Sequence, residues 1–253
     1  MERRSQMFGV WSAPISALLT VVGCMAFSQG FHIAPASLTA KETAEFFSRH
    51  QNGILFGCLL FAVACCFLAV WTAQLGIMLW RVEGRSPIFA ITQVLMGEAI
   101  VLVVVLNCSF WMAAAYRPDS ILPDIVQATN DAAWLGFLAV GWPLLTLQMV
   151  STAVVGLSDR RTQPLFPAWM CKASIAGSVV VVLAGGCAFT KTGPLAYDGV
   201  LGYFVPMAIW GSWLLAHAWF MGRELQRSAA VDTGDERAAR SATRPADRQA
   251  LSV

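Results

Sequence analysis

The chain has 253 residues, of which 57% are hydrophobic and only 13% charged, with a net charge of +2. Soluble domains hold roughly 45–50% apolar residues and about twice that share of charge, and a soluble core of this length has no room for the excess. With a mean hydropathy of +0.61, lipid is the solvent for most of the chain, and the lipid bilayer is its first expected partner.

Six apolar runs are long enough to span: Phe8–Phe27, Gly53–Leu79, Ile88–Ala115, Ala132–Leu157, Trp169–Phe189 and Val200–Met221. A helix needs about 20 residues to cross a ~30 Å hydrocarbon layer. None of the runs has the alternation of a membrane barrel strand. The expected fold class is all-α, an integral membrane six-helix bundle over residues 1–222, followed by a tail.

The first run follows "MERRSQM", so the start also resembles a signal peptide, and "VVGC" loosely fits a lipoprotein cleavage site at Cys24. The run is long enough to stay as a span, and a retained helix is the expectation. Next comes "PASLTAKETAEFFSRHQNG", where Thr39 and Glu42 have capping-box spacing. A short amphipathic helix over about residues 39–50 is expected to lie on the outer interface. In "NGILFG", Gly53 and Gly57 form a GxxxG pattern suited to close helix contact. A helix starting near Pro123 is expected to run on into span four. Pro14, Pro143 and Pro206 lie inside spans one, four and six, where they should kink or loosen the helix. The tail, residues 223–253, is rich in Ala, Arg, Asp and Ser and is expected to be disordered or loosely helical. Trp80, Trp111, Trp134 and Trp169 sit at span ends, as interface anchors should. The seven cysteines all fall in apolar runs without metal spacing, and read as small core residues.

Orientation follows from the short connections. Arg3, Arg4, Arg81, Arg85, Arg160, Arg161, Arg223 and Arg227 all fall on one side. Lys41, Arg49, Arg117 and Lys191 on the other are offset by acidic neighbours. The positive-inside rule therefore predicts both termini in the cytoplasm.

Polar side chains inside the spans are the first candidates for function. At ~1.5 Å per residue, Gln74, Gln93 and His217 sit about 9–12 Å from the inner flanking charges, with Glu98 and Gln148 deeper. These five form a candidate inner cluster. A carboxylate there costs roughly 2.5–3.5 kcal/mol, so Glu98 is expected to face inward, neutral and hydrogen-bonded, with Gln148 or His217 as partner. The alternative is a polar, hydrated pocket with Glu98 as its charged member. Helix geometry cuts across that picture. Gln93, Gly97, Ile100, Val104 and Asn107 share one stripe, and Glu98 points away from it.

A second candidate cluster lies on the outer face: His50, Gln51, Asn52, Arg117, Asp131, Trp134 and Lys191. It either binds an anionic or polar group or simply caps helix ends, and capping is the reading to expect because helix termini need such partners. His32 and His50 do not have metal-ligand spacing. The sequence holds no phosphate-binding loop, dinucleotide fingerprint, zinc-protease motif or nucleophile elbow. No catalytic residue, metal, cofactor or nucleic-acid partner is expected.

Several stretches in combination resemble a family of uncharacterised bacterial six-span integral membrane proteins. They are "SRHQNGILFG", "RVEGRSP", "FWMAAAYRPD", "NDAAWLGF", "DRRTQPLFPAW" and "TKTGPLAYDG". The resemblance covers about residues 30–222. It implies the six-helix architecture in a bacterial cytoplasmic (inner) membrane and carries no activity. The expected role is non-catalytic: binding or passage of a small, largely apolar molecule, or service as an accessory subunit. The alternative is an intramembrane enzyme acting on a lipidic substrate, with Glu98 as acid or base and His217 beside it.

Overall fold

The computed structural model describes residues 2–28 and 34–242. His32 and the end of the tail lie outside the described residues. Every regular element among them is helical: α1 (Glu2–Ser28), α2 (Ala40–Glu83), α3 (Ile88–Tyr116), α4 (Pro123–Leu135), α5 (Gly141–Ser158), α6 (Ala168–Ala184) and α7 (Val205–Ala242). Short 3-10 turns lie at Pro118–Ser120 and Gly185–Phe189. A π turn, Gly136–Val140, joins α4 to α5, and a second, Val200–Phe204, leads into α7. Six of the resulting rods are long and apolar enough to cross a membrane: Arg3–Phe27, Ala40–Glu83, Ile88–Tyr116, Pro123–Ser158, Ala168–Phe189 and Val200–Ala230. The protein is thus an all-helical, multi-pass membrane protein. An even number of crossings puts the start of α1 and the body of α7 at one end of the bundle, here called the termini end. Gly222 packs there against Val10.

Helix one rests on helix two through the glycines singled out by their spacing. A side chain at Gly53 would meet the carbonyl oxygen of Ala26, and one at Gly57 would lie 2.7 Å from that of Gly23. The two backbones touch because nothing stands between them.

The short outer helix is a correction. Residues 40–52 do not form a separate element lying on the interface; they continue into span two as one 44-residue helix. Such a rod is about 66 Å long, more than twice the hydrocarbon layer, so its first turns project past the far end. The capping box is present, with Thr39 and Glu42 bonded reciprocally. No breaker follows it, and Thr43, Phe47 and Ile54 are buried along one face. The Gln127 amide of α4 donates to Leu38 O at 2.8 Å, tying the extension down.

Two of the three prolines loosen their helices as expected. Pro143 has no N–H for the carbonyl of Ala139, and the π turn Gly136–Val140 lies immediately before it. Pro206 likewise leaves Gly202 O free, just after the second π turn begins. The indole N–H of Trp142 donates to that carbonyl at 3.4 Å, so the defect of one span is satisfied from the other.

At the termini end the loops are tied rather than loose. Both carboxylate oxygens of Glu83 accept from the first free N–H groups of α3, Phe89 at 3.0 Å and Ala90 at 2.8 Å. Asp159 is buried in the loop between α5 and α6, where it accepts from the Arg161 guanidinium and from Leu165 N at 2.8 Å. Arg161 also reaches Glu224 on α7 at 2.9 Å. The backbone of α7 stays helical through Ala242.

Candidate functional site

Inside the bundle two layers follow one another along the spans: a polar layer toward the termini end and an apolar cavity beyond it.

Four of the five residues of the inner cluster are in the polar layer. Gln74 is 6% exposed, Gln93 0%, Gln148 2% and His217 1%. Glu98 is not with them. It is half-buried on the flank of α3, and no hydrogen bond or ion pair to it exists among the described residues. The inward-facing, partnered glutamate is therefore corrected. The stripe of Gln93, Gly97 and Asn107 turns to the interior, and the 100° step from Gly97 to Glu98 carries the carboxyl off it. His217 Nδ1 lies 2.8 Å from the carbonyl of Trp213. A carbonyl only accepts, so Nδ1 carries the proton and Nε2 is left as an acceptor. The ring is enclosed by Phe166 and Trp213, each with its centroid 4.6 Å away. Neither Glu98 nor His217 lines the cavity, so an acid–base pair acting on a substrate there has no geometric support.

The outer-face residues divide between separate jobs. His50 Nδ1 lies 2.9 Å from Phe46 O, and its ring lies against that of Phe46. Gln51 donates to Tyr116 O at 3.1 Å, closing the C-terminus of α3. Asn52 and Arg117 are exposed, the latter with its guanidinium 5.4 Å from the Tyr116 ring centre. Asp131 accepts from the Tyr197 hydroxyl at 3.4 Å, within the field of exposed Lys191. Trp134 stacks on the Tyr197 ring at 5.5 Å. These contacts cap and pair.

Trp111 and Trp134 are a further correction. Trp80 and Trp169 are exposed as interface anchors should be, but Trp111 is 3% and Trp134 5% exposed. They meet edge to face at 4.8 Å and, with Phe27 and Tyr203, roof the bundle interior.

Beneath that roof lies the feature the sequence did not reveal, a cavity of about 90 Å³. Span one contributes Ser16, Thr20 and Cys24, and span two Phe61, Ala64, Cys65 and Leu68. Ile100, Val103 and Val104 come from α3, Phe137 and Trp142 from span four, and Met207 and Trp210 from α7. Small residues, Ala64, Cys65 and Gly141, share the wall with large rings, the tryptophans among them. The π turn before Pro143 supplies both Phe137 and, at its end, Gly141. Several polar atoms on the wall are already used. Ser16 donates to Ala64 O at 2.9 Å, and Tyr203 OH lies 3.6 Å from Cys24 Sγ. The indole N–H of Trp111 is buried without a partner. Such a wall offers dispersion and apolar burial, few polar groups and no charge. The aromatic enrichment of the far ends of spans three, four and six was the available signal, but it is also what lipid interfaces select.

No group of three or more His, Cys, Asp or Glu that would hold a metal ion exists among the described residues. No family model, no curated protein and no solved structure matches the chain.

Proposed function

We propose that the protein is a non-catalytic membrane protein that binds or passes a small, largely apolar molecule, using the cavity between spans one, two, three, four and six. It sits in a bacterial cytoplasmic membrane with both termini inside, the side on which its loop arginines fall. The single observation that carries the reading is the cavity wall: aromatic, aliphatic and uncharged. Apolar cavities on the order of 150 Å³ stay dry and admit benzene or xenon, so a ligand of similar size, or the narrow end of a larger one, suits this space.

The test uses the tryptophans as reporters. In nanodiscs, 1-bromohexane should quench fluorescence with a saturable component above the linear quenching caused by probe dissolved in lipid. In a Gly141→Leu variant that component should weaken at least about tenfold, about 1.4 kcal/mol of binding. A Cβ at Gly141 first meets Val103 at 3.8 Å and then Gly136 O at 4.0 Å, both ordinary contacts, so the side chain can start into the space. Quenching that is linear in wild type, or equally saturable in the filled variant, rejects the proposal.

A further inference from the structure

One helical turn from the cavity toward the termini end, three spans change character together. Leu68 on α2 is followed by Thr72, Ile100 on α3 is preceded by Gly97, and Leu145 on α5 is followed by Gln148. The first member of each pair lines the cavity. The second members meet one another. A side chain at Gly97 would touch Thr72 and would lie 2.5 Å from Gln148 Nε2 and 2.9 Å from Thr72 Oγ1. Gly97 thus lets a hydroxyl and an amide close on the backbone of α3, where a Cβ would not fit.

The next turn continues the layer. Gln93, on the same face of α3 as Gly97, is fully buried, and neither its amide oxygen nor its nitrogen has a hydrogen-bond partner. Ser151, one turn after Gln148, is fully buried with an unpaired hydroxyl, as is Thr72. A buried amide or hydroxyl without a partner costs about 1–3 kcal/mol, and four spare hydrogen-bonding atoms in one seam are too many to arise from packing alone. They include a donor, an acceptor and two groups that do either. None is charged, and the half-buried Glu98 points off this stripe. An ion would therefore find no counter-charge here, whereas a group that both donates and accepts would satisfy opposite walls at once.

We propose that the seam formed by Thr72, Gln93, Gly97, Gln148 and Ser151 is a second binding site, which takes a neutral hydroxyl. That hydroxyl belongs either to bound water or to the head of an amphiphile whose apolar body lies in the cavity. The second source rests on the function proposed above, and it narrows the ligand class from hydrocarbon to a small lipidic alcohol. The first source does not depend on that function.

Two measurements test the site and its source. The first is thermal stability of Gln93→Leu and Thr72→Val in detergent without added ligand. An occupied site loses bonds to its occupant in both variants, and each midpoint should fall by a few degrees, ~2–4 °C for each lost bond. An unoccupied seam gives the opposite sign, because an apolar side chain relieves an orphaned polar group. A rise, or no change, in both variants overturns the proposal. The second measurement compares 6-bromo-1-hexanol with 1-bromohexane as tryptophan quenchers in nanodiscs, each corrected for its partition into lipid. A tenfold preference for the alcohol that disappears in Thr72→Val, with bromohexane binding retained, assigns the hydroxyl to the ligand. Equal binding of the two probes, together with the fall in stability, assigns it to water. Absence of saturable bromohexane binding rejects the function of the cavity, and the stability measurement still decides whether the seam is occupied.

Discussion

Replacing Asp159 with Ala is expected to lower stability by about 3 kcal/mol, near the lower end for breaking a buried ion pair because its partner Arg161 is half exposed. The carboxylate holds the turn between α5 and α6 from inside, accepting from Arg161 and from the backbone N–H of Leu165. Through Arg161 the turn is joined to Glu224 on α7. Removing the carboxylate orphans those donors and releases the link between span six and the loop. Acidification should act on the same group. Burial alone would push the Asp159 carboxyl up, but the Arg161 guanidinium and the N–H groups of Leu165 and Arg161 outweigh it and hold its pKa below the usual value. A carboxyl with a lower pKa folded than unfolded contributes fully above the unfolded value of about 3.9. The contribution is lost as pH falls through the folded value. Thermal midpoints of wild type and Asp159→Ala in detergent should therefore run apart by a constant gap above about pH 5 and converge below the unfolded pKa. A gap that persists at low pH would show that the ionised carboxylate is not the source of the effect.

Gly57→Leu should cost about 2–3 kcal/mol, at the upper end for overpacking, because what its side chain meets cannot move aside. A Cβ at Gly57 would lie 2.7 Å from the carbonyl oxygen of Gly23 and 2.8 Å from Phe27 Cβ. Helix one would have to slide away from helix two, and with it Phe27, which packs at 5.3 Å against Trp111 in the cavity roof. Gly141→Leu adds the same atoms where space exists and should leave the thermal midpoint nearly unchanged. Comparison of the two midpoints tests whether contact between backbones, rather than glycine content, sets the cost. A midpoint for Gly57→Leu equal to wild type would contradict the close approach.

The architecture was legible because lipid leaves few alternatives. Runs of some twenty apolar residues must become helices there, and the spacing of Gly53 and Gly57, the Thr39–Glu42 box and Pro123 each had a local meaning that the structure bears out. The continuity of α2 through residues 50–53 was not legible. It depends on a neighbour distant in sequence, α4, which packs against α2 and bonds the segment before it. In the polar cluster, Gln74, Gln93, Gln148 and His217, picked out by their depth from the flanking arginines, are buried. Depth says nothing about direction, and Glu98 stood out for its charge while its angular position on α3 already set it apart from Gln93 and Gly97. The cavity left almost no trace in the sequence. An empty volume belongs to no residue; it arises where Ala64, Cys65 and Gly141 from two spans share a wall with aromatic side chains from three others, and each of those residues alone is ordinary in a membrane helix.

Crystals of the protein held under xenon pressure give the most direct measurement. Xenon enters dry, apolar cavities and is located by its anomalous scattering. A single strong site is expected inside the bundle, between Phe61, Val104, Phe137 and Trp210, and it should vanish in Gly141→Leu. Xenon found only along the lipid-facing surface, or an interior site occupied equally in the filled variant, would contradict an apolar binding cavity at the centre of this protein.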